Sequence, residues 1–158
     1  MKITFELDGE ETTIDVPPDR PLREVLREDC GERSVKTGCD SGRCGSCTVL
    51  LDGEAVKSCL VLAGKVDGRS VTTVTGIDEG SLGRDVQDAF EDHTAIQCGY
   101  CAPGFVLSAA SALEEDPTAD RADLREALSG NACRCTGYEK ILDAVSEVAR
   151  VDEEAGDD

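Results

Sequence analysis

Cys39, Cys44, Cys47 and Cys59 follow one another as C-x4-C-x2-C, with the fourth thiol after a further eleven residues. Four thiolates at this spacing hold a [2Fe–2S] core. A second group, Cys98, Cys101, Cys133 and Cys135, forms a C-x2-C hook and a C-x-C hook separated by 31 residues. Eight of the nine cysteines thus fall into two sets of four, and the chain reads as a housing for two redox centres.

Two ferric ions, two sulfides and four thiolates carry a net negative charge that reduction deepens. Such a core needs hydrogen-bond donors, and the backbone N–H groups of a loop curled round it supply them. Gly38, Gly42 and Gly45 permit that close wrapping, because a residue without Cβ tolerates positive φ. Cys59 closes the site from the strand pair that follows the loop. Zinc also accepts four thiolates, but it takes them from two short hooks, whereas here three share one glycine-rich loop. For the second group the spacing leaves a cluster, a zinc site and a redox-active disulfide at Cys98–Cys101 open, although no thioredoxin-like βαβ pattern surrounds that pair. His93 is the sole histidine, which excludes a two-histidine Rieske ligand set; it is expected at a helix end or an interface. Cys30 reads as a small buried hydrophobe. Arg43 and Arg134 adjoin ligand cysteines, where positive charge eases reduction or pairs with a surface carboxylate. No nucleophile triad, phosphate-binding glycine loop or paired acid/base carboxylates stand out.

The elements that must position these thiols are legible from periodicity. Residues 2–7 and 11–16 predict two strands joined at Asp8-Gly9, a tight-hairpin dipeptide, with Ile3, Phe5 and Leu7 on one side. Pro17 and Pro18 end that pattern. A helix is predicted from Pro21, with Leu22, Val25 and Leu26 on one face and Gly31 as its stop. Residues 36–47 form the cysteine loop, residues 48–51 and 54–57 a second hairpin about Asp52-Gly53, and residues 70–74 a last strand. Beyond Gly76 the β-branched runs give way to four amphipathic helices. Their apolar faces are Leu82, Val86, Ala89 and Phe90; Val106, Ala109, Ala110 and Leu113; Leu124, Ala127 and Leu128; and Ile141, Leu142, Val145, Val148 and Ala149. Pro103 suits a helix start, Thr118 or Asp120 a cap, and Gly130 a stop. The order is α+β. It predicts a first domain over 1–76, a helical domain over 77–150 and a disordered acidic tail over 151–158.

The chain has 158 residues, of which only 3% are aromatic, so two small cores must rest on aliphatic side chains, with bound metal as the expected staple. A net charge of −18 argues against nucleic acid and against an anionic membrane surface. Arg outnumbers Lys by eleven to five. The acidic surface reads either as an ordinary solvated face or as adaptation to high salt. The N-terminus enters the strand pattern directly, with no secretory signal, and no stretch is apolar enough to span a bilayer. A cytoplasmic protein is expected, and there clustered cysteines serve as ligands more often than as disulfides.

The run Gly38-Cys39-Asp40-Ser41-Gly42-Arg43-Cys44-Gly45-Ser46-Cys47-Thr48-Val49-Leu50, with Gln97-Cys98-Gly99-Tyr100-Cys101-Ala102-Pro103-Gly104 and Gly130-Asn131-Ala132-Cys133-Arg134-Cys135-Thr136-Gly137-Tyr138, resembles the two-[2Fe–2S] small subunit of the molybdenum hydroxylases. That family includes xanthine dehydrogenases, aldehyde oxidoreductases and aerobic carbon monoxide dehydrogenases, and the resemblance covers residues 2–150. It implies an N-terminal β-grasp, plant-type ferredoxin domain followed by a C-terminal four-helix bundle, each holding one [2Fe–2S] cluster. It implies an electron-transfer subunit that works with a large molybdopterin-binding subunit and a medium FAD-binding subunit. The helical domain's cluster would lie nearer the molybdopterin, with Gln97 and Cys135 at positions beside the pterin. Gln97 alternatively satisfies local backbone. Ala132, Ala102 and Phe105 depart from the commoner Leu, Thr and Met of the family without removing a ligand. The rival readings are a free-standing electron carrier, a zinc-stabilised interaction module and a redox sensor.

Overall fold

The computed structural model describes residues 1–155, with side chains described as far as Ala149. Strands β1 (Lys2–Leu7) and β2 (Glu10–Asp15) pair antiparallel across Asp8 and Gly9. β3 (Thr48–Leu51) and β4 (Glu54–Lys57) pair in the same way across Asp52 and Gly53. Both turn dipeptides have positive φ at both residues, the twist that matches a two-residue hairpin to its strands. β5 (Ser70–Thr72) lies between the hairpins, parallel to β1 and antiparallel to β3, so the sheet order is β2-β1-β5-β3-β4.

The short helix α1 (Leu22–Glu24) runs on into a π-helical turn over Val25–Asp29. Leu22, Val25 and Leu26 are fully buried, as is the Ile3 and Val49 face of the sheet. Gly31, with φ of +72°, lets the chain leave this segment. The last strand is shorter than predicted: a 3-10 turn over Val74–Gly76 replaces its end, capped by the Thr73 hydroxyl, which accepts from Thr75 N–H.

Four helices follow: α2 (Leu82–Asp92), α3 (Ala102–Glu115), α4 (Arg121–Ala127) and α5 (Glu139–Ala155). Ser81 caps α2, Pro103 sits in the first turn of α3, and Asp120 with Asp123 forms a capping box on α4. Each device satisfies N–H groups that a helix start leaves without partners. The predicted faces are buried, except that Ala127 is exposed and Leu82 only partly covered. α5 continues to Ala155, past the point where the sequence predicts a disordered tail; residues 156–158 of that tail lie outside the described residues. The three phenylalanines, Phe5, Phe90 and Phe105, are all at or below 2% exposure. A chain so poor in aromatics therefore spends every Phe on its two cores, where truncation of each to Ala costs about 3–5 kcal/mol. α3 lies against β3 and β4, which joins the two halves. Among the described residues no helix is long and apolar enough to cross a membrane.

Candidate metal centres

The first cysteine loop leaves the π-helical turn and enters β3. Arg27 donates to the Val35 carbonyl at 2.7 Å, and Arg23 donates to Thr37 Oγ1 at 2.8 Å. The Arg23 guanidinium also lies 2.9 Å from Asp40 Oδ1, so one nearly buried cation grips the loop on both sides of Cys39. Left-handed backbone at Asp40, Gly42 and Gly45 curls the chain. The curl aims the N–H groups of Ser41, Arg43 and Cys44 at Cys39 Sγ, at 3.4, 3.2 and 3.3 Å. The Ser41 hydroxyl, with these N–H donors, holds the Cys39 thiol down to about 5. This is a nest of donors prepared for negative sulfur. A Cβ on Gly38 would fall 2.5 Å from Cys44 Sγ, and one on Gly42 would fall 2.4 Å from Leu60 Cδ1. Gly38 therefore leaves the Cys44 thiol free of contact, and Gly42 makes room for the Leu60 side chain.

Cys59 sits on a 3-10 turn, Ser58–Leu60, just beyond β4. Ser58 is fully buried, and its hydroxyl donates to the Cys47 carbonyl at 2.6 Å. The Cys59 side chain lies beside that of Cys47. Burial first, then this contact, push the Cys59 thiol up to about 11.

In the second group, Cys98 and Cys101 precede α3, and Cys101 is its N-cap. Cys133 and Cys135 lie between α4 and α5. Cys133 lies beside Cys101 and Cys98 beside Cys135, and Cys98 also acts on Cys101 and Cys133 on Cys135. Burial, reinforced by Cys133, pushes the Cys101 thiol up to about 12. At Cys133 burial acts upward as well, but the Thr136 hydroxyl and N–H, at 3.2 and 3.4 Å, together with Cys135 N–H and Cys101, leave that thiol below its usual value. Contact with Cys98 raises Cys135.

Among the described residues no three His, Cys, Asp or Glu side chains converge as a single ion would require. What the fold brings together is Cys59 with Cys47 and, more weakly, Cys39, and Cys98, Cys101, Cys133 and Cys135 as neighbours of one another. A tetrahedral zinc ion needs four donors about one point. A two-iron core needs two thiolates per iron, and the donor set fits it. The two groups also meet: Ala132 N–H donates to the Cys44 carbonyl at 2.9 Å.

Gln97 and Cys135 are both exposed, and the Cys98 that follows Gln97 lies beside Cys135. Gln97 makes no side-chain hydrogen bond among the described residues, so the local-backbone alternative gains no support. Arg43 and Arg134 are exposed, and neither forms an ion pair among the described residues. Cys30 is half-buried against the sheet core, with its thiol raised by burial and by Asp29. His93 ends α2 and pairs with Glu147 of α5. Sequence reasoning missed Arg23, Ser58 and Thr136. Thr136, three residues after Cys133, carried a local signal; Arg23 and Ser58 reach their partners only through the fold.

A profile described as a 2Fe-2S iron-sulfur cluster binding domain matches residues 5–74, and one described as a [2Fe-2S] binding domain matches residues 73–146. The chain is 46% identical over 145 residues to the nicotine 6-hydroxylase small subunit of Paenarthrobacter nicotinovorans, covering 92% of this chain and 87% of that one. It is 43% identical to the nicotinate dehydrogenase small FeS subunit of Eubacterium barkeri, covering 92% of each. Among solved structures it is similar to a chain of quinoline 2-oxidoreductase from Pseudomonas putida 86, with a TM-score of 0.88, 42% identity, and coverage of 98% of this chain and 96% of that one.

Proposed function

This chain belongs to the family of iron–sulfur small subunits of the molybdenum hydroxylases, and from that membership we propose how its residues divide the work. Cys39, Cys44, Cys47 and Cys59 hold one [2Fe–2S] cluster; Cys98, Cys101, Cys133 and Cys135 hold the other. When bound, the clusters supply one-electron redox chemistry, and substrate oxidation belongs to a large molybdopterin-binding partner. The N–H nest at Cys39 and the Thr136 donors at Cys133 stabilise negative sulfur. The buried Ser58 hydroxyl braces the Cys47 carbonyl. Electrons pass to an FAD-binding medium subunit. Gln97 and Cys135, together at one exposed end, face the pterin. The chain divides near residue 76 into a β-grasp, ferredoxin-like part and a four-helix part, a reading supported by the profiles that meet at residues 73–74 and by the turn at Val74–Gly76. The cytoplasm suits thiolate ligands that must stay reduced.

The observation that carries the ligand assignment is the N–H nest aimed at Cys39 Sγ together with the meeting of two remote hooks, Cys98 and Cys101 with Cys133 and Cys135. A partner-bound subunit, rather than a free carrier, is supported by exposed apolar residues beside the cysteines. Leu60 is 63% exposed, Tyr100 47%, Tyr138 40% and Ile96 38%. Large apolar side chains left exposed so near these thiols suit a docking surface. The test is purification with native partners, followed by iron, sulfide, molybdenum and flavin analysis. About two irons and two sulfides per four-thiolate site, with visible bleaching on reduction, are expected. A colourless protein holding zinc would refute the assignment.

A further inference from the structure

Only one crossing of the chain, through the turn at Val74–Gly76, links the sheet half to the helical half. A covalent tether of that kind does not by itself fix the spacing of two redox centres. Two side chains bridge the cysteine groups directly. Tyr100, between Cys98 and Cys101, donates its hydroxyl to the carbonyl of Thr37, two residues before Cys39. The Lys36 ammonium sits 5.9 Å from the centre of the Tyr100 ring, and Arg23 holds the Thr37 hydroxyl from the other side. Asn131, two residues before Cys133, is 8% exposed and donates from Nδ2 to the Gly45 carbonyl at 3.3 Å. That carbonyl also accepts Thr48 N–H at 3.1 Å and the Thr48 hydroxyl at 2.7 Å. A Cβ on Gly45 would fall 2.5 Å from Asn131 Nδ2, so the amide lies directly on the loop with no gap between them. The Asn131 backbone is anchored in turn, its N–H donating to the Leu128 carbonyl at 3.0 Å.

Each hook of the second group thus carries its own strut, and the struts land at opposite ends of the first loop. We propose that Tyr100 and Asn131 are positioning residues that fix the separation and orientation of the two redox centres. The proposal rests on the two-cluster reading above. Electron exchange and magnetic interaction between two centres both fall steeply with separation. Held geometry is therefore part of function, as in any site whose supporting residues set its spacing.

The test uses the full chain, loaded with iron and sulfide, as Tyr100→Phe, Asn131→Ala and the double variant. Electron paramagnetic resonance of the fully reduced protein reads the splitting caused by one cluster's spin acting on the other. Each single variant should keep its iron and the signal of each separate cluster while the splitting shrinks, and the double variant, in which α3 still packs on β3 and β4, should show the largest reduction. Tyr100→Phe keeps the ring and gives up one surface hydrogen bond, so it decides the matter alone if Asn131→Ala takes up no iron. Full iron with wild-type splitting in Tyr100→Phe and in every loaded variant would overturn the proposal, as would a reduced wild-type protein with no splitting. A wild-type chain that binds no iron would instead overturn the cluster reading beneath it.

Discussion

Gly104→Ala sets two effects of opposite sign against each other. Gly104 lies in the first turn of α3, and replacing a helical glycine by Ala ordinarily gains about 0.5–1 kcal/mol. Here the added Cβ would fall 2.2 Å from the Gly45 carbonyl oxygen, where ordinary contact begins at 3.4 Å. The obstacle is backbone, and that carbonyl is already held by Thr48 and Asn131. Overpacking of a well-filled site costs about 1–3 kcal/mol. Relief by separating α3 from the loop would also strain the Ala132–Cys44 hydrogen bond, worth about 1 kcal/mol net. The clash wins, with a net loss of about 2 kcal/mol and a fall in Tm of roughly 4–8 °C for a chain of this size. Thermal unfolding of the cluster-loaded protein, followed by circular dichroism and visible absorbance together, measures it. Gly83→Ala in α2 is the control: the atoms nearest its Cβ are Ile77 side-chain atoms, at 3.1–3.3 Å, which can yield, so its Tm should stay nearly unchanged. A rise in Tm for Gly104→Ala would refute the reasoning, because helix propensity would then have outweighed the packing of α3 on the loop.

Ser58→Ala should destabilise by about 1 kcal/mol through loss of a buried hydroxyl donor, and should speed release of iron to a chelator, since that bond braces the Cys47 carbonyl. Cys101→Ser should halve iron content while leaving the signal of the first cluster, as read by metal analysis and electron paramagnetic resonance. Asp120 is held below the usual carboxylate range by the N–H groups of Asp123 and Ala122. A depressed folded pKa gives stability that is present above the unfolded value of 3.8 and is lost as pH falls through the folded one; Asp120→Ala should lower Tm at neutral pH and flatten this acid limb. Asp8 runs the other way. Burial raises its carboxyl against the opposing hydrogen bonds of Thr73, so its contribution is present below 3.8 and is lost as pH rises through the folded value. Asp8→Asn should remove that dependence from the pH–stability curve. With a net charge of −18, added salt screens self-repulsion, and Tm should rise between low and molar chloride.

The amino-acid order alone determined the chemistry and most of the elements. The C-x4-C-x2-C run names its cluster because ligand spacing within one loop is local geometry. The β3–β4 hairpin was legible to the residue because Asp52-Gly53 admits one turn with one register. The apolar faces of α2, α3 and α5 were legible because a period of 3.6 residues leaves a visible stripe. What failed at the edges, the short β5 and the long α5, failed because element ends depend on what packs beside them. The tertiary structure decided the rest. It brought Cys98 and Cys101 to Cys133 and Cys135 across 31 intervening residues, because the packing of α3 and α4 sets that meeting and no local rule does. It recruited Arg23, Ser58, Tyr100 and Asn131, whose partners are remote in sequence and whose types are unremarkable where they stand. Spacing along a chain specifies a ligand set; only the folded chain specifies how far apart two such sets are held.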